Sequence, residues 1–485
     1  MSADDVAAWR GPIPPLADLG AVHFIGIGGA GMSGIARIML ARGVPVSGSD
    51  RRDSPALRAL AALGARVEVG HDGEHLGDAG TVVVSTAIRD DNPELVTARA
   101  RGLRVLPRAV ALAAVMAGRR SVAVAGTHGK TSTTSMLTVA VQACGVDPSF
   151  AIGGTLNESG SNAHSGQGDV FLAEADESDR SFLLLAPLGA IVTNVEADHL
   201  DNYGDLAAVE AAFDTFVRTV PAEGFLVLCL DDPGAARLVG SGPTGRLRTY
   251  GQHPDADLRL DDLRVAADGT RYTAVLDGQS LGRVHIQLPG EHMALNSAAA
   301  LLAGLELGLP AADLITGLAR FGGVRRRFEL KGTAAGVRVY DDYAHHPTEV
   351  AAQLKAARAV LGSGRLLVLF QPHLYSRTTQ FAAGFGTALG LADEVVVMEV
   401  YGAREDPVPG VTGALVADAV PLPPGRVAFE PSWSAAAPAM AARARPGDVV
   451  VTMGAGDVSM VGPEVLAVLA EPESEATEAA PEPSR

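Results

Sequence analysis

A lysine and a threonine in the stretch AGTHGKTSTT, Ala125 to Thr134, are the residues best placed by type and spacing to do chemistry. Lys130 follows Gly126, Thr127, His128 and Gly129. In such an arrangement the loop amides cradle phosphate oxygens and the lysine neutralises the β- and γ-phosphates of a nucleotide. Thr131, with Ser132 beside it, offers a hydroxyl to the Mg²⁺ that accompanies ATP. The usual spacing G-x-x-x-x-G-K-[ST] asks for a glycine at 124, where this chain has Val124. The loop is shortened, yet it keeps every part a phosphate needs. ATP binding is therefore the expectation, set against a Gly-Lys-Thr that holds nothing.

A second glycine turn, Gly26-x-Gly28-x-x-Gly31, is followed by Asp50 at about the distance where an acid meets a ribose hydroxyl. Glycines there let backbone amides approach a pyrophosphate at a helix N-terminus. The pattern does not say whether that pyrophosphate belongs to NAD, FAD or a UDP compound, or whether the turn is purely structural. Glu174 closes the apolar run VFLA, where a metal carboxylate would sit across from Thr131, and His199 in TNVEADHLDNY lies at the end of the next such run. Singly they read as a solvated strand end and a satisfied histidine. Together they point at one Mg²⁺ site, because this ion takes few protein ligands and fills the rest with phosphate and water.

The elements that must hold these residues follow from the apolar pattern. Val22 to Ile25 form a short apolar run, the glycines turn the chain, and Met32, Ile35, Ile38 and Met39 recur at helical spacing. VPVSGSD and GTVVVSTAI add further strands. After Arg119 and Arg120 the strand, loop and helix restart with SVAVAGTHGKTSTTSMLTVAV, and a third series (LLVLFQPHLYSRT, DEVVVMEVYGARE, GDVVVTMGAGDV) follows GLARFGGVRRRFE. Strands that alternate with helices argue for an α/β protein with largely parallel sheets, whose ligands lie at the C-terminal ends of the strands. The expected organisation is a Rossmann-like domain over 1–118, a central domain of phosphate-loop ATPase type with a parallel or mixed sheet over 119–320, a Rossmann-like domain over 321–470, and an acidic tail over 471–485 too poor in apolar residues to order itself.

The 485 residues suit about three domains, and the net charge of −17 argues against nucleic acid or an anionic membrane as partner. Cys144 and Cys229 stand in no metal-binding or disulfide spacing. MSADDVAAWR is acidic where a signal peptide is basic, and AVALAAVMA is too short to span a bilayer, so a cytoplasmic protein without membrane insertion is expected.

HFIGIGGAGMSGIA, AGTHGKTSTT, EADESD, TNVEADHLDNY, GEHMALNSAAA, RRFE, DDYAHHPTEV and FQPHLYSRT occur in this order over most of the chain. In that set and order the sequence resembles the Mur ligase family. The resemblance implies that the first glycine turn holds the diphosphate of a UDP-sugar, and that the shortened loop is this family's own phosphate loop. It implies an ATP- and Mg²⁺-dependent ligase of peptidoglycan precursor synthesis, which activates a carboxylate as an acyl phosphate and passes it to an amine through a tetrahedral intermediate. Its substrates would be UDP-N-acetylmuramate and L-alanine, and the protein a monomer or weak homodimer.

Residue by residue, the resemblance places Gly28 and Gly31 on the diphosphate, with Ser49 or Asp50, His71 and Ser85 lining the rest of the UDP-sugar site. Thr131, Glu174 and His199 would serve the metal, Lys130, His199, His345 and Arg377 catalysis, and His292 and Asn296 the adenine region. Arg327 and Asp342 would reach ATP from the third domain, while Tyr343, His345 and Arg377 would meet the amino acid, Arg377 gripping its carboxylate bidentately. Closure of the third domain is expected, with a hinge near Gly322 and Gly323.

The chain departs from the family's patterns at Met293, where many relatives have Asn, and at Leu374, where some carry a second Arg. It has no lysine between Leu200 and Val220, so no carbamylated lysine is expected. Tyr343 favours L-alanine addition over a ligase that attaches a preformed peptide, since such relatives tend to carry Phe there. An NAD-dependent oxidoreductase leaves Lys130, Thr131 and Glu174 without a purpose.

Overall fold

The computed structural model describes residue 9 and residues 11–241, 245–403 and 405–471. Most of the N-terminal MSADDVAAWR segment and the acidic stretch after Glu471 lie outside the described residues. The chain forms two compact units, divided between Arg325 and Arg326.

The first unit contains two sheets. One has five parallel strands in the order Arg66–Val69, Val46–Asp50, Val22–Ile25, Thr81–Val84, Arg104–Pro107. Val22–Ile25 and Thr81–Val84 are buried along their whole length, as expected of central strands covered by helices on both faces. Two helices on this sheet start at well-made caps. Ser54 Oγ accepts from Leu57 N–H ahead of Pro55–Ala62, and Asn92 Oδ1 accepts from Glu94 and Leu95 N–H ahead of Pro93–Ala100.

The second sheet has ten strands, with Arg120–Ala125 hydrogen-bonded between Gly189–Val192 and Val170–Glu174, all parallel. Position 124, where the usual loop spacing asks for glycine, is a fully buried residue inside Arg120–Ala125, so Val124 packs the core and the loop begins at Gly126. At one end the sheet continues into three antiparallel strands, Leu258–Ala266, Gly269–Leu276 and Gln279–Ile286. Their faces alternate in burial, and the period-two pattern, broken by bulges, is too irregular to stand out in the sequence.

One continuous hydrophobic core joins the two sheets. It contains Val22 and Ile35, passes through Val110, Val115 and Met116 of the helix Arg108–Met116, buried from Ala109 onward, and reaches Val122, Leu137 and Val324. Residue 118 therefore marks a change of sheet inside one compact body. Phe321 and Val324 are buried in the same unit, Val324 bridges to Leu156, and the carbonyls of Gly322 and Gly323 accept hydrogen bonds from Asn157. The glycines expected near a hinge are thus fastened to the first unit, and the division falls just after them.

The second unit is built on a six-stranded sheet in the order Glu329–Ala334, Val337–Asp342, Val449–Met453, Leu366–Phe370, Glu394–Met398, Val427–Glu430, antiparallel only at its first pair. Alternate residues along Leu366–Phe370 feed opposite cores: Leu366, Val368 and Phe370 one, Leu367 and Leu369 the other. Among the described residues no helix is long and apolar enough to cross a membrane, and both cysteines are free.

Candidate active site

The phosphate loop takes its shape from two glycines. Gly126 has φ 134°, and a Cβ there would stand 2.0 Å from Thr193 Oγ1; Gly129, at φ 82°, caps the helix Lys130–Ala143 in the left-handed region. The rest is tied to the chain after strand Gly189–Val192. Thr193 Oγ1 and Asn194 Nδ2 donate to the His128 carbonyl at 2.6 and 3.0 Å, and His128 N–H donates to Asn194 Oδ1 at 2.7 Å. Asn296, on the helix Glu291–Glu306, stands against Gly129: a Cβ on that glycine would lie 2.7 Å from Asn296 Oδ1. His292 is half-buried on the first turn of the same helix, and Met293 is buried in the core.

Lys130 is less exposed than a phosphate ligand at a loop tip would be. Its ammonium donates to the Gly126 and Thr127 carbonyls at 2.7 and 3.1 Å and to Glu177 Oε1 at 2.8 Å. Burial works against the charge, but the Glu177, Asp176 and Glu174 carboxylates outweigh it and hold the Lys130 pKa above its ordinary value. Burial in turn pushes the Glu177 pKa up, opposed by Lys130 and His199.

Thr131 Oγ1 lies 3.1 and 3.0 Å from the two oxygens of Glu174, at the end of strand Val170–Glu174, and Gly153 N–H donates to the same carboxylate at 2.8 Å. His199, left-handed at φ 53°, places Nε2 3.9 Å from Glu177 Oε1, and its Nδ1 is buried without a hydrogen-bond partner among the described residues. Lys130, Thr131 and Glu174 thus converge directly, and His199 joins them through Glu177. Sequence reasoning missed Glu177 and Asp176, although both stand in the EADESD block, because it took only the strand-end acid.

It also missed Arg108. The guanidinium pairs with Asp176 at 2.9 Å and fills the space beside Gly31, where a Cβ would lie 2.6 Å from Nη1. Burial opposes the Arg108 charge, and the Asp176 and Asp179 carboxylates raise its pKa in spite of it. Arg108, Gly31, Glu174 and Asp176 line a cavity of ≈ 190 Å³ that links the first glycine turn to the Thr131–Glu174 pair.

At the first sheet the expected substrate residues gather on the C-terminal edge. Gly28 N–H donates to Asp50 Oδ2 at 2.9 Å, so the acid caps the glycine turn. Ser49 and His71 both meet Glu94, which the sequence reading passed over, and Ser85 follows strand Thr81–Val84 directly.

In the second unit Asp342 closes its strand and accepts from Phe328 and Ala344 N–H at 2.7 and 2.8 Å. Burial pushes its pKa up to about 6, against the pull of Arg327. The Arg327 guanidinium lies over the Tyr343 ring, 5.2 Å from its centroid. Tyr343, His345 and His373 rings follow one another at centroid distances of 5.1 and 5.9 Å, and Arg377 Nη1 lies 3.2 Å from His373 Nδ1. Arg377 is buried on the first turn of the helix Tyr375–Leu389, where Ser376 N–H donates to Glu405 Oε2 at 3.0 Å. Leu374 is buried at φ 68°, with its N–H on the Tyr401 carbonyl at 2.9 Å. His373 stands in the FQPHLYSRT block, and its contact with Arg377, four positions on, depends on the helix that begins between them, which residue type alone does not reveal.

The family model of the Mur ligase catalytic domain matches residues 21–120, that of the Mur ligase middle domain 124–304, and that of the Mur ligase glutamate ligase domain 326–456. The UDP-N-acetylmuramate--L-alanine ligase of Acidothermus cellulolyticus is 59% identical over 472 residues, covering 97% of this chain and 99% of its own. Among solved structures, the UDP-N-acetylmuramate-alanine ligase of Thermotoga maritima matches with TM-score 0.78 at 29% identity, covering 92% of this chain and 98% of that one. A murein peptide ligase from Psychrobacter arcticus matches with TM-score 0.69 at 25% identity, covering 93% and 99%. The models fall in order on the three sheets and the Acidothermus relative is similar along nearly the whole length, so the chain belongs to the Mur ligase family.

Proposed function

We propose that this protein joins L-alanine to the lactyl carboxylate of UDP-N-acetylmuramate at the expense of ATP, in the cytoplasm, as a step of peptidoglycan precursor synthesis. The observation that carries the reading is the convergence of Lys130, Thr131, Glu174 and Glu177 at the ends of adjacent parallel strands, with a cavity running from Glu174 to the first glycine turn. An anionic sugar nucleotide held at that turn can present a carboxylate to a phosphate held at Lys130.

A carboxylate oxygen attacks the γ-phosphorus and ADP leaves, giving an acyl phosphate. The amine nitrogen of L-alanine then attacks the acyl carbon, and the tetrahedral intermediate expels phosphate while the nitrogen loses its proton. Lys130 is the residue for the phosphate charge, and the amides of Gly126 and Gly129 and the Ser132 hydroxyl are those for its oxygens, while the Thr127 and His128 N–H groups donate to Asn194 and hold the loop in shape. The Thr131 hydroxyl and Glu174 carboxylate are a hard-oxygen set suited to Mg²⁺, and the buried Nδ1 of His199, without a hydrogen-bond partner among the described residues, makes that residue a further candidate ligand. When bound, the ion supplies neutralisation of phosphate charge. His292 and Asn296 are assigned to the adenosine end, Arg327 and Asp342 to ATP, and Tyr343, His345 and Arg377 to L-alanine. Gly28, Gly31, Ser49, Asp50, His71 and Ser85 are assigned to the UDP-sugar, and the domain limits to 1–118, 119–320 and 321–470.

Phosphate release from ATP with the UDP-muramyl sugar, compared for L-alanine, glycine, L-serine and a tripeptide, tests the reading. L-Alanine is expected to be preferred, with some leakage to glycine because one methyl group gives only about 1–3 kcal/mol of discrimination. Turnover with the tripeptide and none with L-alanine would replace this reading with a peptide-attaching ligase.

A further inference from the structure

Glu94 is completely buried at the start of the helix Pro93–Ala100, and four side chains converge on it. Ser49 Oγ donates to Oε2 at 2.6 Å, and His71 Nδ1 lies 2.9 Å from the same oxygen. His75 Nδ1 is 3.2 Å and His23 Nε2 3.5 Å from Oε1. Burial disfavours the Glu94 charge, yet hydrogen bonds from His23, Ser49 and His71 hold its pKa below the ordinary value. An ionised carboxylate can only accept, so the His71 proton must sit on Nδ1. Among the described residues the hydrogen bonds of His71 run through Nδ1 alone, and its side chain is 21% exposed. In the neutral ring Nε2 is then a lone-pair acceptor turned away from Glu94.

The topology says what it can meet. The glycine turn follows Val22–Ile25, the middle strand of the sheet; the cavity lined by Arg108 and Glu174 lies towards the Arg104–Pro107 side, and His71 follows Arg66–Val69 at the opposite edge. A diphosphate at the turn with its sugar in the cavity leaves its nucleoside over Ser49 and His71. We propose that Glu94 is a positioning residue for the nucleoside of the substrate, fixing His71 so that Nε2 accepts a hydrogen bond from an N–H or O–H donor of uridine. The proposal rests on the UDP-sugar reading of the first glycine turn.

The test uses the full chain, the Glu94→Gln variant, and UDP as probe. A glutamine offers one neutral acceptor oxygen where Ser49, His71, His75 and His23 share two charged ones, so it weakens the anchor of the Nδ1–H form and shifts His71 towards the Nε2–H tautomer, which has no acceptor to offer. Glu94→Gln is expected to raise the UDP dissociation constant by calorimetry, and the KM for the UDP-sugar, roughly tenfold, the worth of one hydrogen bond, with the KM for ATP within about twofold of wild type. Nitrogen-15 spectra should move His71 from the Nδ1–H to the Nε2–H form, which a merely structural role would not do. His71→Ala should weaken UDP by a similar factor and make Glu94→Gln silent when the two are combined. N3-methyl-UDP and 2′- and 3′-deoxy-UDP separate the donors, since the analogue lacking the true one binds weakly to wild type and loses nothing further in Glu94→Gln. The proposal is overturned if wild-type His71 is the Nε2–H tautomer, if every analogue binds like UDP, or if wild type binds UDP and a folded Glu94→Gln binds it equally. A wild-type chain that fails to bind UDP overturns the UDP-sugar reading itself, and the proposal with it.

Discussion

The Lys130 ammonium lies 2.8 Å from the Glu177 carboxylate, inside a loop shaped to receive phosphate. The lysine is held by that acid and by the Gly126 and Thr127 carbonyls, so its charge is satisfied and its side chain oriented. A phosphate must share or take over the lysine. Lys130→Ala is expected to lower ligase turnover by about 10²–10³-fold or more, the scale seen when one preorganised charge partner of a transition state is removed. The variant also strands a buried acid, so Glu177 should take up a proton and the fold lose some stability. Phosphate release measured beside a thermal melt separates the two effects; a folded variant with more than a few per cent of wild-type activity would remove the loop from the mechanism.

Glu174 is the acid closest to Thr131, and its oxygens also hold Gly153 N–H. Glu174→Gln keeps an acceptor for those donors and removes one formal charge. The Mg²⁺ concentration for half-maximal activity should rise by about tenfold or more, since hard-cation affinity follows ligand charge. An unchanged Mg²⁺ titration would show that Glu174 is not a ligand.

The parts of the site that were legible in the sequence are those where a residue type and a strand end coincide. Lys130 and Thr131 after an apolar run, Glu174 at the end of another, and Gly28 and Gly31 in the first turn all have that form. Arg108 and Glu94 have no such signal: each begins a helix in a stretch with no glycine motif, and each reaches its partners through the sheet's topology, Arg108 across 68 positions to Asp176 and Glu94 across 45 to Ser49. The placing of the first boundary at 118 reflects the restart of the strand pattern, which periodicity can see. The helix Arg108–Met116 buried between the sheets is a tertiary fact that periodicity cannot see.

Arg377 is held from the N-terminal turn of its helix with His373 at 3.2 Å. Arg377→Lys preserves charge but loses the planar pair of donors that matches a carboxylate. The KM for L-alanine should rise by roughly 10–100-fold, on the order of one charge-assisted hydrogen bond, while that for ATP stays near wild type. Equal rises in both constants would assign Arg377 to the general architecture of the unit.

Asp342 gives the second unit a pH dependence whose sign follows from its surroundings. Burial raises its pKa from the ordinary 3.8 to about 6 in the folded chain, although Phe328 and Ala344 N–H groups and Arg327 favour the charged form. A raised acid binds its proton more tightly folded than unfolded. The stability this supplies is complete below about pH 4 and is lost as the pH climbs through about 6, amounting to about 3 kcal/mol at roughly 1.4 kcal/mol per unit. Asp342→Asn cannot ionise, and it costs about 1 kcal/mol at every pH because its amide N–H₂ faces one of the two backbone donors. Hydrogen exchange of the Val337–Asp342 amides reads the local opening free energy. Wild type should exceed the variant in protection at about pH 4.5 and lose most of that lead by about pH 7.5. A lead that stays constant across that range would mean that Asp342 ionises at its ordinary pKa, and that its two backbone hydrogen bonds offset its burial.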